Sequence, residues 1–202
     1  MKKTVIAGLL LAQLCSCASF AQTAYPNIIK YNAGALLETT FSAGIERAIN
    51  NKHSFQVNVD YHTEKDMDFL GGDRYSGLGI GGEYRLYGLI PALSKEENPV
   101  LNGLFFGPSL AYRKVTYKSL DRSDPFDESI SLLQFGGVAG YQFRPKSVPR
   151  LSFEASLACL ASLSFGEDAE TWGEDMGIGP RFNSGIVPVF SLSIGYAFGS
   201  KK

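Results

Sequence analysis

Leu151-Ser152-Phe153-Glu154-Ala155-Ser156-Leu157-Ala158-Cys159-Leu160-Ala161-Ser162-Leu163-Ser164-Phe165 alternates along its whole length. The odd positions are Leu, Phe, Ala, Leu, Cys, Ala, Leu and Phe; the even positions are mostly serine, with Glu154 among them. Successive side chains of a strand point to opposite faces, so one face of this segment is apolar and the other small and polar. Its length exceeds that of an ordinary globular strand. A tilted strand crosses a bilayer in about nine to eleven residues, so the segment is long enough to span.

Seven further segments carry the same period: 28–36, 39–49, 53–62, 75–87, 101–117, 129–143 and 186–198. Their large residues fall on one face, as Phe55, Val57, Val59 and Tyr61 do in the third. Opposite stand Gly, Ser, Ala, Asn and Gln with few charges. A soluble barrel would place Lys and Glu on its exterior. Small residues suit the narrow interior of an eight-stranded barrel instead. Tyr84, Tyr141, Phe143, Tyr196 and Phe198 gather near one set of strand ends, as in an interfacial aromatic girdle. The expected architecture is all-β: an eight-stranded antiparallel up-and-down transmembrane β-barrel. Pro108 in the fifth segment predicts a bulge, because proline removes a ladder donor.

Residues 1–21 have a secretory-signal layout: two lysines, an apolar run from Val5 to Leu14, and small residues ending at Ala21. Cleavage there leaves residues 22–202 as the barrel domain. Leu14-Cys15-Ser16-Cys17 also resembles a lipobox, and cleavage before Cys17 would leave a lipidated cysteine. After cleavage at Ala21 only Cys159 remains, which excludes an internal disulfide framework. The formal net charge of −1 offers nothing to nucleic acid.

With both termini in the periplasm, the connections at 63–74, 118–128 and 166–185 fall outside and those at 50–52, 88–100 and 144–150 inside. The outer connections hold thirteen acids and five bases, a net of −8; the inner turns and tail sum to +5. Leu89–Leu93 is expected to form a short helix or to pack under the barrel.

Lys30, Glu46, Asp60, His62, Glu83, Arg85, Arg113 and Glu154 fall on the lumen face. Buried charges persist when paired and hydrogen-bonded, which predicts an ion-pair network closing the lumen; a gated solute path is the alternative. His62 is expected at the outer rim, where a barrel lipid hydrolase of the lipid A deacylase kind would keep its base. No serine stands in a recognisable motif with it, and no catalytic residue is assigned. The acidic loops lack EF-hand spacing, so neither metal nor cofactor is assigned. Gly77, Gly79, Gly81 and Gly82 lack the helix and Lys-Ser/Thr of a phosphate loop. Trp172, with Glu174 and Asp175, marks a candidate surface-interaction loop.

Taken together, Ile28-Ile29-Lys30-Tyr31-Asn32, the run Phe41 to Ile49, Gly82-Glu83-Tyr84-Arg85-Leu86-Tyr87 and the run Gly103 to Tyr112 resemble a family. It comprises small uncharacterised outer-membrane β-barrel proteins of Gram-negative bacteria, a domain of unknown function. The likeness covers residues 27–117; beyond them only the barrel pattern continues. It implies an outer-membrane address and brings no catalytic residues. The C-terminal strand resembles an assembly signal ending at Phe198, although Gly199-Ser200-Lys201-Lys202 follow and Ser193 replaces a glycine. The partners expected are outer-membrane lipids, lipopolysaccharide and the barrel-assembly machinery. No specific protein partner is assigned.

Overall fold

The computed structural model describes residues 25–65, 74–88, 101–118, 127–165 and 185–199. These form eight antiparallel strands: β1 Asn27–Asn32, β2 Thr40–Ala48, β3 His53–Lys65, β4 Arg74–Tyr87, β5 Gly103–Lys118, β6 Asp127–Phe143, β7 Leu151–Phe165 and β8 Gly185–Phe198. Each pairs with its neighbour in sequence, and β8 pairs with β1 to close the barrel. The register can be walked from Ile29 through Ile45, Val57, Gly82, Leu110, Phe135, Ala161 and Ile186. Carried across the β8–β1 seam it returns at position 39, ten residues further on. Eight strands with that stagger tilt by roughly 40° and leave room for side chains but not for an open pore.

The two faces are sorted as a lipid solvent requires. Ile29, Phe41, Ile45, Val59, Leu110, Leu157 and Phe190 point outward and are exposed. Lys30, Glu46, Asp60, Arg85, Arg113 and Glu154 point inward and are buried. Backbone groups in hydrocarbon find partners only within the ring, which is why a membrane barrel closes.

Several expectations are corrected. The first strand stops at Asn32 rather than 36, and a 3₁₀ helix, Ala33–Glu38, follows. Asn32 ends the strand itself: its Oδ1 accepts from Ala35 N at 3.3 Å and from Leu192 N at 3.2 Å. Thr39, at φ 50°, completes the turn into β2. The fifth strand begins at Gly103, because Leu101 adopts φ 61° and turns into the barrel floor. At Pro108 no residue is inserted, since the register with β4 is the same before and after it. The ladder instead opens locally opposite Tyr84 and Arg85. Strands β3 to β6 also run past their expected ends, so Lys65 pairs with Arg74 and Lys118 with Asp127. Alternation marks only the stretch with one apolar face; Thr63-Glu64-Lys65 is polar throughout, so the pattern ends before the pairing does.

Residues 1–21, 89–93 and 166–184 lie outside the described residues, and with them the expected export signal, the 89–93 expectation, Trp172, Glu174 and Asp175.

The β6–β7 seam contains a close approach that only glycine permits. A Cβ on Gly136 would fall 2.0 Å from the Cys159 carbonyl oxygen, whereas one on the adjacent Gly137 meets nothing nearer than 3.9 Å. Gly136→Ala should therefore destabilise the barrel by about 1–3 kcal/mol, with Gly137→Ala near neutral. Urea titration of barrels folded in lipid vesicles, followed by gel migration, measures the difference; equal midpoints for the two variants would refute it.

Candidate functional site: the charged lumen

Parity along each strand sets the lumen. Lys30 comes from β1, Glu46 from β2, Asp60 and His62 from β3, Glu83 and Arg85 from β4, Arg113 from β5 and Glu154 from β7. They divide into two groups at different depths.

The deeper group lies toward the end that carries both termini, and Arg85 is its hub. Its Nη1 and Nη2 donate to Glu154 Oε2 and Oε1 at 2.8 and 3.0 Å, a two-pronged pairing. Its Nε and Nη2 reach Glu83 Oε2 at 2.8 and 2.6 Å. The guanidinium also stacks 4.2 Å from the Phe105 ring centre. Lys30 Nζ sits 2.5 Å from Glu46 Oε2, bonds Glu154, and donates to Gln142 Oε1 at 2.6 Å. Glu46 further accepts from the Tyr87 hydroxyl at 2.7 Å and from Ser54. The fork geometry of arginine and the fixed donors around Glu46 provide the compensation that desolvated charges require.

Below this network the floor is apolar. Tyr87, Leu101 and Phe105 are buried there with Ile28, Ala48 and Ala197. The Leu101 carbonyl accepts from Gln142 Nε2 at 2.9 Å, which ties the floor to the network.

The shallower group is smaller. Arg113 Nη2 donates to Asp60 Oδ2 at 2.8 Å. The Arg113 side chain runs over Gly79, where a Cβ would come within 2.8 Å of its Cγ. His62 is 1% exposed, and its Nδ1 lies 2.9 Å from Thr40 Oγ1. The expectation that His62 stands at the rim is corrected: β3 continues to Lys65 and leaves the imidazole inside the wall. The hydroxyl facing its Nδ1 belongs to a threonine, not a serine.

Between the groups lies a cavity of about 50 Å³, bounded among others by Asn58, Ser109, Ser156, Ser191 and Ser193. That volume holds roughly four waters. Asp60 Oδ1 and Gln56 Oε1, both on lining residues, have no protein hydrogen-bond partner among the described residues. The void suits solvent, and toward the termini it stops at the Lys30, Arg85 and Glu154 side chains, above the apolar floor.

Among the described residues, the lumen brings together three fixed cations and four carboxylates. Tyr87, Gln142, Ser54 and Phe105 join the charged residues in the lumen and are not among the residues expected there. The first three share the lumen parity of Arg85, Glu154 and Gln56, so strand parity was the signal that could have found them. Phe105 has the same parity but reads as an ordinary apolar strand residue.

Removing one member of the deep group strands the rest in a desolvated site. Glu154→Ala should lower stability by about 3–5 kcal/mol, and adding Lys30→Met to it should recover part of the loss. Urea unfolding in vesicles reads both, and additive losses in the double variant would sink the idea of a coupled network.

No protein-family model and no curated protein matches the chain. It is similar to three solved barrels. One is the N-terminal β-barrel domain of Pseudomonas aeruginosa OprF, at 11% identity over 87% of this chain and 100% of that chain, with a TM-score of 0.42. The attachment invasion locus protein Ail of Yersinia pestis matches at 12% identity over 85% and 95%, TM-score 0.42. CarO2 of Acinetobacter baumannii matches at 11% over 86% and 98%, TM-score 0.40. At these identities no residue role is carried over.

Proposed function

We propose that this chain is exported and assembled into the outer membrane as a plugged barrel without catalytic activity, with a structural or surface-interaction role. The observation that carries this reading is the deep lumen network. Arg85, Glu154, Lys30 and Glu46 join four strands across the lumen, and Leu101, Phe105 and Tyr87 seal the space beneath. A conducting path needs a continuous wet column; here it is crossed by paired charges and then by an apolar floor. The end carrying the termini is the periplasmic one, as the basic inner turns suggest. Interaction with partners belongs to the opposite, acidic end. The apolar outer wall supports contact with outer-membrane lipids and lipopolysaccharide, and the C-terminal strand ending at Phe198 supports delivery by the barrel-assembly machinery. The small uncharacterised outer-membrane family remains the reading of the sequence pieces that resemble it.

Two measurements test this. Membrane-extracted protein should migrate differently on gels before and after boiling, as folded barrels do. Planar bilayers containing it should stay silent, whereas steady nanosiemens conductance would overturn the plugged lumen. A chain recovered without detergent would overturn the membrane placement.

A further inference from the structure

The outer wall of β3, β4 and β5 carries a depression that the lumen does not explain. Register sets three rows side by side. Val59, Ile80 and Tyr112 form the lowest; Tyr61, Leu78 and Lys114 form the middle; Thr63, Ser76 and Thr116 form the highest. Residues two apart share a face, so all nine point away from the lumen. The rows thus run from apolar, through apolar with one cation, to hydroxyl over three steps. All nine residues except Thr63 line an open trough of about 610 Å³, within the range of small-molecule sites. Leu78 and Ile80 stand on its central strand, 61% and 55% exposed, with Tyr61 and Tyr112 on the strands to either side. The Tyr112 hydroxyl lies 2.9 Å from Ser131 Oγ on β6, which fixes that edge.

Lys114 is the informative residue. It stands on the lipid-facing column of β5, exposed, and forms no ion pair among the described residues. A lysine on a lipid-facing wall is unfavourable by about 2–4 kcal/mol at the bilayer midplane and nearly neutral at the interface. It therefore marks the headgroup level, at the barrel end remote from the termini. An occupant matched to all three rows has apolar chains for Leu78 and Ile80, an anionic group for Lys114, and oxygens that accept from Ser76 and Thr116. A phosphate on an acylated lipid supplies each of these, and charge-assisted bonds to phosphate are the strong kind. A neutral headgroup leaves the lysine unpaired.

We propose that this trough docks a phosphorylated lipid of the outer leaflet, its acyl chain along Leu78 and Ile80 and its phosphate on Lys114. The site rests on the membrane placement proposed above. Native mass spectrometry in a non-ionic detergent tests it, with bisphosphorylated lipid A, the dephosphorylated lipid with the same chains, and inorganic phosphate as probes. One lipid A should be retained per barrel. Dephosphorylation, or Lys114→Gln, should weaken retention about fivefold, the effect of one lysine at an anionic surface. Lys52→Gln, at the opposite end, should change nothing, and inorganic phosphate should not displace the lipid. Equal retention of the two lipids, wild-type retention by Lys114→Gln, or equal losses for the two lysine variants would each overturn the site. Gel migration before and after boiling confirms that each variant is folded. A protein that leaves the membrane without detergent overturns the placement; one held in the membrane but indifferent to phosphate overturns this site alone.

Discussion

Peptide groups in hydrocarbon have no water to bond, and the closed ring of strands answers that constraint. Closure determines nearly everything else. Eight strands staggered by ten residues fix a narrow bore, and a narrow bore brings opposite walls within reach of one side chain. Small residues must then line the wall wherever a long one crosses. Gly79 lies under Arg113, and Gly140 under Phe105, where a Cβ would come within 2.6 Å of the ring. Gly79, in the glycine run that lacks the features of a phosphate loop, is the counterpart of one such crossing.

Inside that bore, polar character is retained only with partners. Every charged group in the deep layer meets an opposite charge, and the layer draws on strands far apart in the chain. The resulting interior is a packed core built from ions and amides, where a soluble protein would use leucine. Its mirror image is the outer wall, where leucine and phenylalanine meet lipid and need no partner.

Much of this was legible from period-two alternation alone. Strand β7 has the bounds its pattern marks, and the lumen parity of Lys30, Glu46, Arg85 and Glu154 follows from counting residues. Alternation fails where its cause fails. Ala33, Gly34 and Ala35 continue the pattern with residues that have little preference for a strand, and the Asn32 side chain turns the backbone away. Leu101 looks like a strand residue, yet its side chain is worth more in the floor than on the wall. Which lumen residues touch depends on the stagger between strands, and no single strand contains that information. Pro108 produces no bulge for a related reason. A missing donor can be absorbed by opening a ladder locally, and here Gly107 allows the Tyr84 carbonyl to approach where a Cβ would lie at 1.6 Å.

The shortness of β1 has a kinetic consequence. With six residues, it offers the closing seam fewer backbone bonds than the longer strands offer theirs. Unaided, that seam would be the natural place for the barrel to unzip. Yet Lys30 leaves β1, passes beneath β8, and grips Glu154 on β7 and Gln142 on β6. Peeling β1 away would pull one cation out of a layer that holds three carboxylates, so the first step of opening carries the penalty of the last. Such a barrel fastens late, when distant strands have already met, and comes apart as a single cooperative unit.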